Sequence, residues 1–395
     1  MFALEALRQL MHEEGTNNAC FINVTYIIEP KTLGEHKSKA AQLGIRRLMS
    51  MGIMPDVILC RSTTKIPKKI NEKISMNSNI PVENVIGVED IEHIYRLPLE
   101  LRTKKVDEIV LTKLKLNKKF KIKGNALQKW TKANSIPKKS KSVTIGIAGK
   151  YTGLSDAYIS ILKALEHCEG ILKRKVKVEW IDTTKIEKKD KNELDKLKRM
   201  NGIIVPGGFG HRGIEGKIAV AKYCREKNTP YLGLCLGFQM VLIEVARNVL
   251  KLKNANSTEF DQKTKNPVID PLEETKKIEN LGGTMRLGGK NVELIKGTKA
   301  WKLYGKKTKI RRRFRHRFEC NPKYIKEFEK AGIVFSGKAP NLPIMQILEI
   351  PKHKFFMATQ YHPELTSRPL KPDPLFLELV KKASGKKWLE KFDQT

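Results

Sequence analysis

The feature that constrains the fold most is an apolar run that ends in a cysteine between two glycines. Residues 230–234 predict a buried strand, and apolar residues then recur at helical spacing over 241–245. Cys235 therefore lies at a sharp turn from a strand into a helix. Gly233 and Gly237 permit the strained backbone of such a turn, and the helix N-terminus favours a thiolate over a thiol. The segment predicts an α/β fold with a nucleophilic cysteine.

Three other features supply the groups that a cysteine nucleophile needs. His362 and Glu364 follow a second apolar strand at 355–360; the imidazole would take the thiol proton and the carboxylate would orient the ring. Free N–H groups of the glycine-rich turn at 205–210 would form an oxyanion hole. A single buried cysteine is usually inert core, but these features together predict a catalytic triad of Cys235, His362 and Glu364.

Beyond the triad, three segments resemble segments characteristic of the CTP synthase family. They are Asn254–Phe260, Leu281–Gly288 and Arg315–Glu319. The chain from about Val143 to its C-terminus is similar to the class I glutamine amidotransferase, or glutaminase, domain of that family. The resemblance implies that glutamine is hydrolysed and that its ammonia aminates UTP to CTP with the use of ATP.

The same resemblance implies how glutamine is held. The carboxylate of Glu259 would face the ammonium group of the substrate, and the guanidinium of Arg317 would face its carboxylate. Arg312 stands where the family usually has an acidic residue, and Phe314 stands where it usually has histidine. Both departures bear on the geometry of the loop near the glutamine carboxylate. The implied glutamine-binding residues are Gly208, Leu236, Gly237, Phe238, Gln239, Glu259 and Arg317.

A charged segment just after the glycine-rich turn resembles the part of the family that responds to GTP, its allosteric activator. The residues concerned are Arg212, Gly213 and Glu215. The alternative interpretation is an exposed charged loop without a regulatory role.

The N-terminal third resembles the later half of the family's synthetase domain. The similar segments are Leu4–Gln9, Gly34–Gln42 and Pro55–Ser62. In the family, the first half of that domain holds the ATP phosphate loop and the acidic residues that bind Mg²⁺. This sequence contains no G-x-x-x-x-G-K-[ST] segment. We therefore expect the metal ligands to be absent from this chain and the synthetase step to be incomplete on it.

Nucleotide-binding residues of the family still have matches here, and lysine ammonium groups suit triphosphate oxygens. The alternative for any one lysine of this lysine-rich chain is a solvated surface position. The residues that match the UTP site, where CTP acts as feedback inhibitor, are Lys37, Ser38, Lys39, Ala40, Ala41, Gln42 and Lys73. Those that match a segment near the ATP base are Glu89, Asp90 and Ile91.

The order of apolar and polar segments predicts two α/β domains. Residues 1–117 form a partial P-loop-type synthetase α/β layer, the C-terminal part of that domain. Residues 118–142 are basic and aperiodic and predict a linker. Residues 143–395 form a class I glutamine amidotransferase α/β domain. Because the first layer would lack part of its sheet, we expect open strand edges, an exposed apolar face and poor solubility.

Composition is compatible with this organisation. The 395 residues include 77 Lys and Arg against 42 Asp and Glu, and the formal charge is +35. Because the lysines are dispersed and lack basic–aromatic interleaving, we expect anionic nucleotides, and no specific nucleic acid, as partners. The six cysteines lack metal-ligand spacing, so we expect no metal site built on them. The sequence has no signal peptide or long apolar run, which predicts a cytoplasmic protein that does not bind a membrane.

Three functions from different classes remain open at this level. In the first, the chain acts as part of a CTP synthase with glutamine, UTP, ATP and GTP as ligands, in the family's homotetramer. It would then work with a separately encoded N-terminal synthetase chain, or be a truncated gene product. In the second, it is a free-standing glutaminase or amidotransferase for another acceptor. In the third, it is a catalytically silent binding protein, which an intact triad argues against.

Overall fold

The computed structural model describes residues 2–30, 34–91, 93–117, 125–137, 139–150, 155–271 and 285–385. The described chain forms two compact units, residues 1–132 and 133–395. Residues 281–284 of the predicted family segment 281–288, and residues 118–124 and 138 of the predicted linker, lie outside the described residues. No helix of the described residues is long and apolar enough to cross a membrane.

The first unit contains a three-stranded parallel sheet in the order β1-β2-β3. Its strands are β1 Ile22–Tyr26, β2 Val57–Ser62 and β3 Val85–Glu89. Its helices are α1 Phe2–Glu14, α2 Lys39–Met49, α3 Lys68–Ser78, α4 Leu97–Thr103, α5 Val106–Lys113 and α6 Ala126–Ala133, the last of which ends one residue into the second unit.

Helices cover both faces of this small sheet because β2 places apolar side chains on each face. Ile58 packs with residues of α2 and α3, whereas Val57 packs with Val106 of α5. β1 has a neighbour on one side only among the described strands. Its residues Ile22 and Val24 are 41% and 59% exposed, so the predicted open edge and exposed apolar side chains are both present.

One helix was not predicted. α6 lies in the segment 118–142, which the sequence predicted as an aperiodic linker. Trp130 on this helix donates a hydrogen bond from Nε1 to the carbonyl of Tyr95 at 2.5 Å, and the two rings meet edge to face. This long-range contact stabilises a helix that local periodicity does not indicate.

The second unit contains a nine-stranded mixed sheet in the order β11-β10-β13-β14-β15-β7-β6-β4-β5. From β5 to β15 neighbouring strands are parallel, and from β15 to β11 each strand is antiparallel to the one before it. A smaller sheet has the order β12-β9-β8. The parallel half of the nine-stranded sheet is the α/β layer that the sequence predicted. The antiparallel half, from β15 to β11, was not predicted.

The bounds of these elements are as follows. The strands are β4 Ser142–Gly149, β5 Lys175–Asp182, β6 Gly202–Val205, β7 Tyr231–Leu234, β8 Asn256–Ser257, β9 Pro267–Pro271, β10 Arg286–Leu294, β11 Lys309–His316, β12 Phe318–Cys320, β13 Val334–Lys338, β14 Met345–Glu349 and β15 Phe356–Thr359. The helices are α7 Ile159–Leu172, α8 Thr183–Glu187, α9 Lys191–Lys198, α10 Ile214–Lys227, α11 Leu236–Asn248, α12 Lys299–Leu303, α13 Ile325–Lys330 and α14 Pro374–Ala383.

Two hydrophobic clusters lie on opposite faces of the large sheet. One includes residues of α10 and α11, such as Ile218 and Val241, and the other includes residues of α7 and α14, such as Leu165 and Leu379. Central strands β6, β7 and β15 are buried at every position. The carboxyl ends of parallel strands lie at the same edge of a sheet, so the loops that follow β6, β7 and β15 lie close together. The candidate site lies at this edge.

Candidate active site

Cys235 occupies a strained position between β7 and α11. Its backbone has φ 51° and ψ −99°, which non-glycine residues rarely adopt. The strand ladder continues into this residue, because its N–H donates to the carbonyl of Thr359 at 2.7 Å. The sequence placed the strain in the flanking glycines, but the cysteine itself has the left-handed φ. The turn therefore aims Cys235 out of the sheet edge at the start of a helix.

The glycines near Cys235 are required by close packing instead. A Cβ on Gly237 would lie 2.2 Å from the carbonyl oxygen of Val205, so α11 can begin this close to β6 only with glycine there. A Cβ on Gly207 would lie 3.0 Å from Cε1 of His362 and 3.4 Å from Cβ of Cys235. The glycine-rich turn thus lies against both Cys235 and His362, the predicted nucleophile and base.

His362 is positioned by a carboxylate and by the backbone. Its ring Nδ1 is 2.8 Å from Oε1 of Glu364, and its backbone N–H donates to the carbonyl of Arg313 at 2.9 Å. Its Nε2 is buried and makes no conventional hydrogen bond to a described residue. Burial acts to lower the pKa of His362, but Cys235 and Glu364 together stabilise the imidazolium more and raise the pKa to about 10. The predicted triad residues therefore come together.

The turn after β6 supplies unused donors. In the described part of the chain, the N–H groups of Gly207 and Gly208 donate to no backbone carbonyl. A cavity of about 400 Å³ lies beside this turn, within the ~300–1,000 Å³ that small-molecule sites usually occupy. It is lined by residues of the α7 start, the turn, the triad and β11, namely Ala157, Tyr158, Ile159, Ser160, Ile161, Pro206, Gly207, Gly208, Phe209, Cys235, Arg315, His362, Glu364 and Leu365.

Two charged residues predicted to hold glutamine lie close together behind the turn. Glu259 accepts a hydrogen bond from the N–H of Gly210 and lies within electrostatic range of Arg317. Burial raises the pKa of Glu259, and the Gly210 N–H and nearby cations oppose this shift. Neither Glu259 nor Arg317 is among the residues that line the cavity. Glu259 and Arg317 therefore lie near each other, outside the lining of the cavity.

The first turn of α11 lies almost wholly inside the protein. Leu236, Phe238 and Gln239 are all nearly inaccessible, and Gln239 donates from Nε2 to the carbonyl of Phe318 at 2.9 Å. Of the predicted glutamine-binding residues, only Gly208 belongs to the cavity lining among the described residues. The α11 residues thus position Cys235 from below the site.

Arg312 and Phe314, the two departures from the family, both lie on β11 behind His362. Arg312 packs over the ring of Tyr304 at 4.5 Å and is 3.6 Å from the carboxylate of Asp373. Phe314 is 2% exposed and meets the ring of Tyr361, the residue before His362, edge to face. Neither side chain lines the cavity. Both departures therefore lie in the packing behind His362, outside the lining of the cavity.

Sequence patterns missed a buried lysine under the turn. Lys217 on α10 is 1% exposed, and its Nζ lies 3.6 Å from the place of a Cβ on Gly208. Burial and the nearby charge of Lys150 lower its pKa to about 8, and Cys235 and Glu259 oppose the shift. In the lysine-rich sequence nothing distinguishes this residue except its position among the apolar residues of a buried helix face.

The predicted GTP-responsive residues surround the start of α10. Gly213 caps the helix with φ 77°, and a Cβ there would lie 2.5 Å from Oγ1 of Thr183. Glu215 accepts two hydrogen bonds from Arg247 at 2.9 and 2.7 Å. Arg212 donates to the carbonyl of Lys150 at 3.2 Å. The three residues therefore lie in one ordered turn next to the glycine-rich loop.

In the first unit, the residues predicted for UTP lie after β1 and on α2 and α3. Lys37 donates its N–H to the carbonyl of Ile28, and its ammonium is 2.8 Å from Glu35, which Lys73 also attracts. Gln42 donates to the hydroxyl of Ser38 at 2.9 Å. The remaining predicted residues differ in exposure: Lys39 and Ala40 are exposed and Ala41 is buried.

The residues predicted for ATP lie at the end of β3. Glu89 is 2.6 Å from the ammonium of Lys104, and Asp90 is 2.7 Å from Arg61; Ile91 follows directly. Burial acts to raise the pKa of Glu89, but Lys104 and backbone donors lower it overall. Among the described residues, no group of three carboxylate, imidazole or thiol side chains fits a metal ion.

The fold and the site define a class I glutamine amidotransferase unit. Residues 154–382 match the family model described as glutamine amidotransferase class-I. The glutaminase domain of Trypanosoma brucei CTPS, solved with bound acivicin, is similar at 34% identity and a TM-score of 0.58, over 62% of this chain and 96% of that chain.

The rest of the chain narrows this class to one family. Residues 1–116 match the family model described as CTP synthase N-terminus. CTP synthase of Caldanaerobacter subterraneus is 45% identical over 96% of this chain and 69% of its own length. CTP synthase of Pyrococcus abyssi is 45% identical over 96% of this chain and 70% of its own length. The chain belongs to the CTP synthase family.

Proposed function

We propose that this chain hydrolyses glutamine at Cys235, His362 and Glu364 and that the ammonia is used to aminate UTP to CTP. The observation that carries the proposal is the meeting of these three side chains with the free N–H groups of Gly207 and Gly208 at one cavity. A nucleophile, a base with its orienting carboxylate, and oxyanion donors are the parts that acyl transfer needs.

The reaction follows from this arrangement in two steps. The Cys235 thiolate attacks the side-chain amide carbon, and the N–H groups of Gly207 and Gly208 stabilise the developing oxyanion. When the C–N bond breaks, Nε2 of His362 gives its proton to the leaving ammonia, and a γ-glutamyl thioester remains. A water molecule then gives a proton to His362 and attacks the thioester, which releases glutamate and restores the thiolate. Glu364 stabilises the imidazolium throughout.

We assign recognition of the amino-acid end of glutamine to Glu259 and Arg317. A carboxylate and a guanidinium suit the ammonium and carboxylate groups of the substrate. Their proximity to each other and to the N–H of Gly210 supports this assignment. Because both lie at the margin of the cavity, we expect their side chains to turn towards the substrate when it binds.

The amination step uses the first unit. The segments 37–42 and 89–91 lie after parallel strands, at the sheet edge where α/β proteins bind nucleotides. Lys37, Lys39 and Lys73 would bind the triphosphate of UTP, or of CTP as inhibitor. We expect the ATP- and Mg²⁺-dependent activation of UTP to need in addition a phosphate loop of the kind that a G-x-x-x-x-G-K-[ST] segment forms, and no such segment is found in this sequence. We assign GTP activation to the turn at 212–215, and the assembly to the homotetramer of the family.

The test compares two nitrogen sources in any preparation of the protein that forms CTP. Glutamine and ammonium salts are each supplied with UTP, ATP and Mg²⁺, to the wild type and to Cys235→Ala. We expect Cys235→Ala to lose glutamine-dependent CTP formation by at least about a thousandfold and to keep ammonia-dependent formation, because removal of a nucleophile eliminates covalent catalysis.

The matched control is Cys224→Ala, since Cys224 is also a buried cysteine but lies within α10 and away from the cavity. It should retain both activities. Loss of ammonia-dependent formation in Cys235→Ala, with the control intact, would contradict the division of the reaction between two units. Glutaminase activity in the wild type without any transfer to UTP would favour a free-standing glutaminase.

A further inference from the structure

Gln360 is a buried amide that touches the nucleophile and that no predicted role includes. It follows β15 directly and is 0% exposed. Thr359 pairs with Leu234 in the parallel ladder of β15 and β7, so Gln360 lies beside Cys235 at the ends of the two strands. Its Nε2 is 3.7 Å from Sγ of Cys235, within hydrogen-bonding distance for sulfur.

The hydrogen-bond network fixes which end of this amide faces the sulfur. The carbonyl of Phe318 can only accept, so the Gln239 atom 2.9 Å from it is the NH₂ group. That NH₂ group has a second hydrogen, which it donates to Oε1 of Gln360. The distance from Nε2 of Gln239 to this oxygen is 3.4 Å. With Oε1 of Gln360 turned towards Gln239, Nε2 of Gln360 must face Cys235. The orientation follows from acceptor chemistry at a backbone carbonyl.

The contacts of Cys235 differ between its two protonation states. As a thiol, Cys235 can donate to the carbonyl of Arg315 at 3.7 Å. As a thiolate it can only accept, and that carbonyl then gives it no hydrogen bond. Besides the His362 imidazolium, Gln360 is a side-chain donor to Sγ among the described residues. Hydrogen bonds to the charged form favour ionisation.

We propose that Gln360 is a positioning and charge-stabilising residue of the glutaminase, which donates a hydrogen bond to the Cys235 thiolate and is held for this purpose by Gln239. The inference rests on the proposed role of Cys235 as nucleophile. It also gives Gln239 a function that does not need contact with the substrate: Gln239 lies one helical turn after Cys235 and orients Gln360 from below.

The experiment measures the thiolate directly, apart from turnover. The rate of Cys235 alkylation by iodoacetamide is followed against pH, with the modified peptide quantified by mass spectrometry so that the other cysteines do not contribute. For Gln360→Leu we expect the pH midpoint of alkylation to rise by about one unit, because the thiolate loses a hydrogen-bond donor that favours its charged form. Gln360→Glu should raise it further, because a carboxylate would face the thiolate.

Gln239→Met should move the midpoint in the same direction and less far, because the amide of Gln360 is then free to turn. The double variant with Gln360→Leu should shift no further than Gln360→Leu alone. Such non-additivity is expected if Gln239 acts only through Gln360.

Gln346→Leu is the matched control. Gln346 is likewise a 0% exposed glutamine, on the neighbouring strand β14, and neither end of its side-chain amide has a hydrogen-bond partner among the described residues. The pH midpoint of Cys235 alkylation in Gln346→Leu should equal that of the wild type. The proposal is overturned if folded Gln360→Leu keeps the wild-type midpoint, or if Gln346→Leu shifts it equally. If wild-type Cys235 were alkylated normally but released no glutamate from glutamine, the proposed function would fail while this contact could still be tested.

Discussion

At the residue scale, the site combines one strained residue with several buried polar groups. Cys235 has a strained backbone with a φ of 51° and a ψ of −99°, and His362 holds its proton with a pKa raised to about 10. Lys217 places an ammonium under Gly208 with almost no exposure to water. The strain at Cys235 and the buried ammonium of Lys217 destabilise a fold, because burial of charge is unfavourable unless it is paired. Their meeting at one cavity is typical of a functional site.

Lys217→Met provides a stability test of this view. The pKa of Lys217 falls from 10.5 to about 8 on folding, so between these pH values the unfolded chain binds more protons and wild-type stability rises with pH. Below pH 8 the buried charge destabilises the fold by up to about 3 kcal/mol, at 1.36 kcal/mol for each pH unit. We expect Lys217→Met to raise the urea midpoint at pH 7, with a smaller gain at pH 10.

Lys227→Met is the control, because Lys227 is an exposed lysine at the end of the same helix. It should change the midpoint little at either pH. A loss of stability in Lys217→Met at pH 7 would show that the ammonium has a stabilising partner, and the expectation would be wrong.

At the element scale, the site depends on the ends of three neighbouring parallel strands. β6 leads into the glycine-rich turn, β7 into Cys235 and β15 into Gln360 and His362. The sequence predicted these strands and the helix after Cys235, because buried parallel strands have continuous apolar runs that periodicity can detect. The helix predicted at Pro374–Ala383 has those bounds in the structure.

Features that rest on distant contacts were not predictable. α6 depends on the contact of Trp130 with Tyr95, and the role of Gln360 depends on the register of β15 with β7. In the sequence, Gln360 is only a polar residue at the end of a buried strand. The backbone strain was expected in the glycines beside Cys235, because local rules assign positive φ to glycine. The sequence does not show that α11 approaches β6 closely, which is why Gly237 is required.

Two glycine-to-alanine substitutions separate close packing from helix propensity. In Gly237→Ala the new Cβ would meet the carbonyl of Val205 at 2.2 Å, so α11 must move and we expect a loss of ~1–3 kcal/mol together with reduced glutaminase activity. Gly44→Ala is the contrast, since Gly44 lies inside α2 with nothing within 4 Å of its Cβ position. It should stabilise by up to ~1 kcal/mol. Urea unfolding of both variants measures this, and equal effects would contradict the packing argument.

At the scale of the whole molecule, the two units differ in how completely they bury their strands. The second unit encloses its sheet between two hydrophobic clusters, and its class I amidotransferase fold and family membership are confirmed. The first unit leaves β1 as an edge with Ile22, Val24 and Tyr26 41–59% exposed. An exposed apolar edge strand is a template for association. The predicted poor solubility of this chain therefore stays a prediction with a structural cause.

Val24→Lys tests that cause, because Val24 is the most exposed of the three apolar side chains on this strand. A charge on an edge strand opposes pairing with another chain. We expect static light scattering of the purified chain to fall several-fold, with glutamate release unchanged. Met76→Lys is the control, since Met76 is 78% exposed on α3, away from the strand. An equal fall in both variants would attribute the effect to net charge, and the edge would not be its cause.

The most direct measurement is glutamate release from glutamine by the purified chain, with and without GTP, for the wild type, Cys235→Ala and Cys224→Ala. We expect glutamate release that GTP increases, that Cys224→Ala retains and that Cys235→Ala loses. Release that persists in Cys235→Ala, or that is absent from a folded wild type in the presence of GTP, would contradict the assignment of a glutaminase to this site.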